Sequence, residues 1–262
     1  TGSLDPLATG MLPLCFGEAT KFSQFLLDAD KSYRVTARFG ITTETGDADG
    51  AVLAEKPVSV SEPKLLTTMG HFEGDIEQVP SMYSAIKHNG EPLYKLARQG
   101  IVVEREPRAV TIHRFEMVSF DGRDAVLDVD CTKGTYVRSL VEDLGAALGC
   151  GAHVAALRRL RAGPYPAEKM VTLDQLGALK AEGGFDAIDA LLLPAATSVA
   201  DWARVELTDN AAYYLLQGQA VMASNRPTYG QVSLYQASTQ LFLGVGEVME
   251  DGRIAPRRLL SH

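Results

Sequence analysis

Apolar and polar positions alternate along Tyr33-Arg34-Val35-Thr36-Ala37-Arg38-Phe39-Gly40, the period that sends successive side chains to opposite faces of a strand. Val137, Leu140, Val141, Leu144 and Leu148 instead recur at helical spacing and make one apolar face. Gly149 closes that helix, because glycine takes the left-handed conformation that ends one. Lys133-Gly134-Thr135-Tyr136 then reads as a strand-to-helix turn, with Arg138 in the helix's first turn. Further strands are expected at Ala109–Ser119 and Ala125–Cys131, separated by the turn Asp121-Gly122, and at His153–Leu160. Helices are expected from a Ser61 cap to about Met69, and from a Thr172 cap to Lys180. Thr42–Gly50 reads as a polar loop. Pro80 to Pro107 reads as a long irregular stretch holding one helical piece, Pro92–Gln99, that stops at Gly100.

Strands follow one another in pairs rather than each being followed by a helix, so the expected class is α+β with a mixed, mostly antiparallel sheet. Composition shifts near Pro194, and Pro194-Ala195-Ala196-Thr197-Ser198 looks like a linker. Beyond it, residues 204–262 read as a small β-rich domain of short strands, with turn signals at Gln217-Gly218-Gln219 and Asp251-Gly252. No internal repeat is visible.

The chain of 262 residues, 46% hydrophobic and 22% charged, has the composition of a soluble globular protein. No apolar run is long enough to span a membrane. It opens on Thr1-Gly2-Ser3-Leu4-Asp5, with neither a basic start nor the apolar core of a signal peptide. Thr rather than Met in first place implies that residues precede it. Cys15, Cys131 and Cys150 are odd in number and widely spaced, which fits a reducing compartment and argues against a disulfide framework or a structural zinc site. His71, His88, His113, His153 and His262 have no metal-ligand spacing. The net charge of −8 counts against nucleic-acid binding unless positive charge is local. Three clusters could supply it: Lys87, Lys95, Arg98, Arg105, Arg108 and Arg114; then Arg158, Arg159 and Arg161; then Arg253, Arg257 and Arg258. Read on charge alone, they are solvated surface.

The opening Gly2-Ser3-Leu4-Asp5-Pro6-Leu7-Ala8-Thr9-Gly10 admits two readings. Asp before Pro is a good helix start, with Asp5 as cap and Pro6 at the first helical position. Alternatively Pro6 biases Asp5 toward an extended backbone, and flanking glycines let another backbone or a ligand come close. A carboxylate held on such a loop can serve as a nucleophile.

That segment resembles the catalytic motif of the bacterial TruB family, the tRNA pseudouridine-55 synthases. Gly17-Glu18-Ala19-Thr20-Lys21, Lys31-Ser32-Tyr33-Arg34-Val35, Thr45-Gly46-Asp47-Ala48-Asp49-Gly50 and Gln78-Val79-Pro80-Ser81-Met82-Tyr83-Ser84-Ala85 match the family in order. So do Lys133-Gly134-Thr135-Tyr136-Val137-Arg138 and the stretch from Gly151-Ala152-His153 to Leu157-Arg158-Arg159. The ordered set covers most of residues 1–175 and is far more specific than any one stretch. The family's preceding Lys-Pro element and Gly-His pair are not in this sequence, so the resemblance implies a missing N-terminal segment.

The resemblance implies a catalytic domain over residues 1–200 with a thumb-like insertion at about 81–108, and a PUA-like RNA-binding domain over 204–262. It implies a reaction without cofactor or metal, in which uracil leaves ribose C1′, rotates and rejoins through C5. Asp5 would be the nucleophile, attacking either sugar or base. Tyr33 would stack on the flipped uracil and handle a proton; the plainer reading is a half-buried strand tyrosine. Arg138 would pair with Asp5. The first turn of a helix is a poor place for a surface cation, which favours that role over plain surface charge. Asp47 would join the polar network, or simply form a loop Asx turn. Tyr136 and Leu157 would line the uracil pocket, or pack the core. Lys87, Lys95, Arg98, Arg158, Arg257 and Arg258 are the candidate RNA contacts. The implied partner is the T-arm stem-loop of tRNA, bound by a cytoplasmic monomer. The alternative is a non-catalytic tRNA-binding or RNA-folding protein. A sugar- or nucleotide-processing enzyme of another class lacks support, since neither GxxxxGK[ST] nor HExxH occurs.

Overall fold

A computed structural model describes residues 1–261; His262 lies outside the described residues. The first half of the chain runs through strand β1 (Thr9–Gly10), helix α1 (Ser23–Asp28), strands β2 (Lys31–Phe39), β3 (Ile41–Thr43) and β4 (Val52–Glu55), and helix α2 (Glu62–Gly70). Strands β5 (Gly74–Gln78), β6 (Lys87–His88) and β7 (Glu91–Pro92) and helix α3 (Leu93–Arg98) follow. Then come β8 (Arg108–Phe120), β9 (Asp124–Cys131), α4 (Val137–Leu148) and β10 (Ala152–Ala162). The last part holds α5 (Leu173–Asp189), β11 (Ala203–Leu207), α6 (Asp209–Leu216), β12 (Gly230–Gln236), β13 (Phe242–Val248) and β14 (Ile254–Leu259).

The main sheet has the order β1-β10-β2-β9-β8-β5. Every pair in it is antiparallel except β1 with β10, so the class is the mixed, mostly antiparallel α+β expected. Along β2 the alternation buries Val35, Ala37 and Phe39 and turns Arg34 away. The apolar stripe of α4 covers that buried face. Gly145 lets the helix come that close: a Cβ there would stand 2.3 Å from the backbone nitrogen of Ala152. Gly149 ends α4 at φ 85°, as expected.

A second sheet, β11-β12-β13-β14, packs on α6 around Val205, Leu215, Val232 and Leu234. A small apolar seam of Phe22, Val199, Phe242 and Val245, edged by Phe25 and Trp202, joins the segment leading into α1 to β13.

Several expectations need correction. Thr42–Gly50 is not all loop, since Ile41–Thr43 pairs with Val52–Glu55; three residues are too few for alternation to register. Pro194–Ser198 is not a free linker. Ala195–Val199 forms a 3₁₀ turn whose Val199 and flanking alanines pack into the seam. The helix expected to end at Lys180 continues to Asp189 across a kink at Gly184, whose φ is 67°. The C-terminal region holds α6, capped by Thr208, besides its strands. Ser61 occupies the cap position of α2 without making a side-chain bond there. Thr172, by contrast, forms a full capping box with Gln175.

Candidate active site

The segment carrying Asp5 makes a turn, not a helix start. The Ala8 amide donates to the Asp5 carbonyl at 2.8 Å, and the chain then enters β1 alongside β10. Sheet pairing overrides the local preference of Asp-Pro for a helix. Gly10 sets the register: its φ is +99°, and a Cβ there would stand 2.2 Å from the Arg159 carbonyl oxygen. The Asp5 side chain is left one-third exposed, at 36%.

Arg138 reaches that carboxylate from the first turn of α4 and is only 4% exposed, which sets aside its reading as surface charge. Its Nε donates to Asp5 Oδ2 at 2.8 Å and its Nη2 to Asp5 Oδ1 at 3.3 Å. Nη1 donates to the Thr45 carbonyl at 2.9 Å, and Nη2 also to the Tyr83 carbonyl at 2.8 Å. Asp47 Oδ2 lies 3.8 Å from Nε. A cation at a helix N-terminus is unfavourable by itself; two carboxylates and two carbonyls offset that here. Asp47 makes both kinds of local contact. Its Oδ1 accepts from the Asp49 amide at 3.2 Å in an Asx turn while Oδ2 faces the guanidinium. The Ala48 amide, bonded to the Val154 carbonyl at 2.9 Å, pins this loop to β10.

Asp5, Tyr33, Asp47, Tyr136, Arg138 and Leu157 line one cavity of about 720 Å³. Tyr33 enters from β2, half-buried; burial pushes its phenol above the ordinary range, while the neighbouring Arg159 pulls the other way. Leu157 both lines the cavity and belongs to the core. Tyr136 is fixed through its backbone: its amide donates to Gln78 Oε1 at 2.8 Å and its carbonyl accepts from Gln78 Nε2 at 3.0 Å.

Of the candidate RNA contacts, Arg98 alone lines this cavity, 5.6 Å above the Tyr94 ring. Lys87 and Lys95 are exposed on the same 81–108 segment. Arg158 is exposed opposite Arg34 on the other face of the sheet and donates to Thr9 Oγ1 at 3.2 Å. Arg257 pairs with Glu247, and Arg258 donates to the Arg257 carbonyl. Both lie on β14, outside the cavity wall.

Gln78, Tyr83, Ser84 and Arg159 stood in the sequence only within matched stretches or a charge cluster, without a role at the site. Tyr83 donates from its hydroxyl to Glu44 Oε1 at 2.6 Å, tying the start of the 81–108 segment to the loop after β3. Strand period two, which puts Arg159 on the same face as Leu157, was the available signal for that arginine. Among the described residues no cluster of three potential ligands could hold a metal. No described helix is long and apolar enough to cross a membrane.

Three family models match consecutive parts of the chain. The model described as TruB family pseudouridylate synthase (N terminal domain) matches residues 1–137. The tRNA pseudouridylate synthase B C-terminal domain matches 138–200, and Pseudouridine synthase II TruB, C-terminal, matches 203–260. The chain is 56% identical over 260 residues to the tRNA pseudouridine synthase B of Ectopseudomonas mendocina (strain ymp), covering 99% of this chain and 85% of that protein. With the enzyme of the same name from Pseudomonas aeruginosa (strain UCBPP-PA14) the identity is 58%, at the same coverage. Among solved structures, one chain of a Cbf5-Nop10-Gar1 complex superposes with a TM-score of 0.75 at 26% identity, covering 99% of this chain and 74% of that one. One chain of an H/ACA RNP bound to a substrate RNA containing 2'-deoxyuridine shares the fold, with a TM-score of 0.74 at 23% identity, covering 100% of this chain and 75% of that one.

Proposed function

The chain belongs to the TruB family of pseudouridylate synthases, and from that premise we propose how its cavity carries out the reaction. It is a tRNA pseudouridine synthase. The target is the T-loop uridine. The C1′–N1 bond breaks, uracil turns, a C1′–C5 bond forms, C5 loses its proton and N1 gains one.

The observation that carries this reading is the paired Asp5 and Arg138, joined at 2.8 and 3.3 Å on the wall of a cavity of nucleotide size. Asp5 is the nucleophile, directed at ribose or base. A carboxylate suits either target, because it can bond to or stabilise an oxocarbenium-like carbon. Arg138 orients the carboxylate through a two-point contact that a lysine cannot reproduce. Asp47 shares the charge of Arg138. Tyr33 stacks on the flipped uracil, and its hydroxyl takes or relays the C5 proton. Tyr136 and Leu157 flank the ring.

The T-loop base must leave its stack to reach Asp5, at a cost of a few kcal/mol that stacking and phosphate contacts offset. Residues 81–108 are the thumb that closes over the stem-loop, with Lys87, Lys95 and Arg98 toward the phosphates and Arg158 a further contact. Residues 1–200 form the catalytic domain and 204–262 a PUA-like domain whose Arg257 and Arg258 meet the acceptor arm. The enzyme works as a monomer, in the cytoplasm where tRNA matures, and without a cofactor. The test is tritium release from a T-loop hairpin carrying 5-tritiated uridine. Release that vanishes in Asp5→Asn, with hairpin binding retained, supports the assignment. Turnover by Asp5→Asn removes Asp5 from the mechanism.

A further inference from the structure

We propose that Arg159 is a buried cation held for the substrate in this cavity: it straps the loop carrying Asp5 and offers its remaining N–H groups to an acceptor oxygen of the target nucleotide. The inference rests on the reading of the cavity as the seat of that nucleotide. Arg159 stands on β10 between two neighbours, with Gly10 of β1 on one side and Tyr33 of β2 on the other. Its residue is 5% exposed. Nε donates to the Met11 carbonyl at 2.6 Å and Nη1 to the Ser3 carbonyl at 3.4 Å. Those two carbonyls bracket Asp5, so one guanidinium ties both limbs of its loop.

Nη2 is buried and makes no hydrogen bond of normal geometry, and the Tyr33 phenol on the neighbouring strand is a polar side chain that feels this guanidinium. A guanidinium does not shed its proton to escape burial, and an unsatisfied buried donor is costly. Arg159's two bonds run to neutral carbonyls, and no ion pair joins it to a carboxylate among the described residues. Arg138 differs: its donors are already engaged by Asp5, Thr45 and Tyr83. A second unpartnered buried atom, Ser84 Oγ, belongs to the same cavity wall. A site that keeps a buried cation and a hydroxyl unsatisfied is built for polar oxygen from outside. A phosphate oxygen and a uracil carbonyl share that chemistry, and either would form a charge-assisted bond with Nη2.

The experiment is a binding cycle on three T-loop hairpins: one with uridine at the target, one abasic there, and one with a methylphosphonate in place of the target's phosphate. Tritium release by the unsubstituted chain on the uridine hairpin is read first, so that failure of the functional reading is separated from failure of this inference. Arg159→Gln weakens binding of the uridine hairpin by about 10- to 100-fold. The loss shrinks to a few-fold on the methylphosphonate hairpin if phosphate is the acceptor, and on the abasic hairpin if the base is. An equal loss on all three hairpins, or no loss, overturns the substrate contact. Arg159→Lys, which keeps the charge and loses the fork, is the second variant should Arg159→Gln melt below the assay temperature. It lowers kcat through the loosened Asp5 loop more than it raises KM. A change in KM alone overturns the strap.

Discussion

Replacing both members of the Asp5–Arg138 pair should hurt folding less than the two single replacements added together. Arg138→Met removes a guanidinium that is 4% exposed and strips Asp47, whose side chain is 6% exposed, of its nearby cation. Breaking a buried pair in this way costs about 3–5 kcal/mol. Asp5→Asn is milder, because Asp5 is 36% exposed and Arg138 keeps Asp47 at 3.8 Å and two carbonyls. Discounted for solvent screening, that change costs about 1–2 kcal/mol. Arg138→Met already removes the bond to Asp5, so the double variant should fall about 1–2 kcal/mol short of the sum. Urea unfolding followed by circular dichroism measures all four chains, and Arg138→Met should also lower Tm by roughly 10 °C. None of the three variants should release tritium. Strict additivity, or an Arg138→Met chain within about 1 kcal/mol of the parent, would refute the claim that this pair braces the cavity.

Gly10→Ala places a Cβ 2.2 Å from the Arg159 carbonyl at a φ of +99°, so it should cost at least about 2 kcal/mol and most of the turnover, read by urea unfolding and tritium release. Burial raises the Glu142 carboxyl above its ordinary value of 4.5, so the folded state holds its proton more tightly than the unfolded one and stability falls as pH rises through that range. Glu142→Gln should therefore raise Tm at pH 7 and change it little at pH 4; an equal shift at both would deny the linkage. Burial also pushes the Cys131 thiol up to about 11, so alkylation at pH 8 followed by mass spectrometry should modify partly exposed Cys15 first and spare Cys131 until the chain unfolds. Charge reversal at Lys95 and Arg98 should weaken hairpin binding and flatten its salt dependence by roughly 0.7 for each phosphate no longer neutralised. An unchanged slope would mean that these two residues touch no phosphate.

Elements whose burial follows one simple period were legible in the sequence. β2 and α4 each present a single apolar face to the core, and alternation or helical spacing recorded it. β5, Gly74-Asp75-Ile76-Glu77-Gln78, was not legible: it has one aliphatic side chain and owes its form to pairing with β8. The turn at Ala195–Val199 looked like a linker because small residues reveal packing only when Phe22 is seen against them. The site divides the same way. Local chemistry left Asp5 between a helix cap and a loop carboxylate and only disfavoured Arg138 as surface charge; family resemblance alone put them together. Their bond joins residues 133 apart in the chain, and no local period encodes such a contact. Arg159 hid in the doublet Arg158-Arg159, where one arginine faces solvent and the next is buried.

How an RNA-modifying enzyme can carry a net charge of −8 follows from where its ion pairs lie. Arg34–Asp128, Arg38–Asp124 and Arg114–Asp130 form cross-strand pairs between neighbouring strands of the main sheet. Arg34 and Arg38 alternate with Tyr33 along β2, so their side chains leave by the face opposite the cavity. These arginines are neutralised away from the cavity. At the cavity the charge of Arg138 is taken up by Asp5 and Asp47, which leaves Arg98 and Arg159 outside any ion pair among the described residues. The long-range field is therefore repulsive toward RNA while the contact field is attractive. Physiological salt screens charges beyond about 8 Å, so added salt relieves the repulsion as well as weakening the contacts. Hairpin affinity should thus fall less steeply with salt than its number of phosphate contacts alone would require.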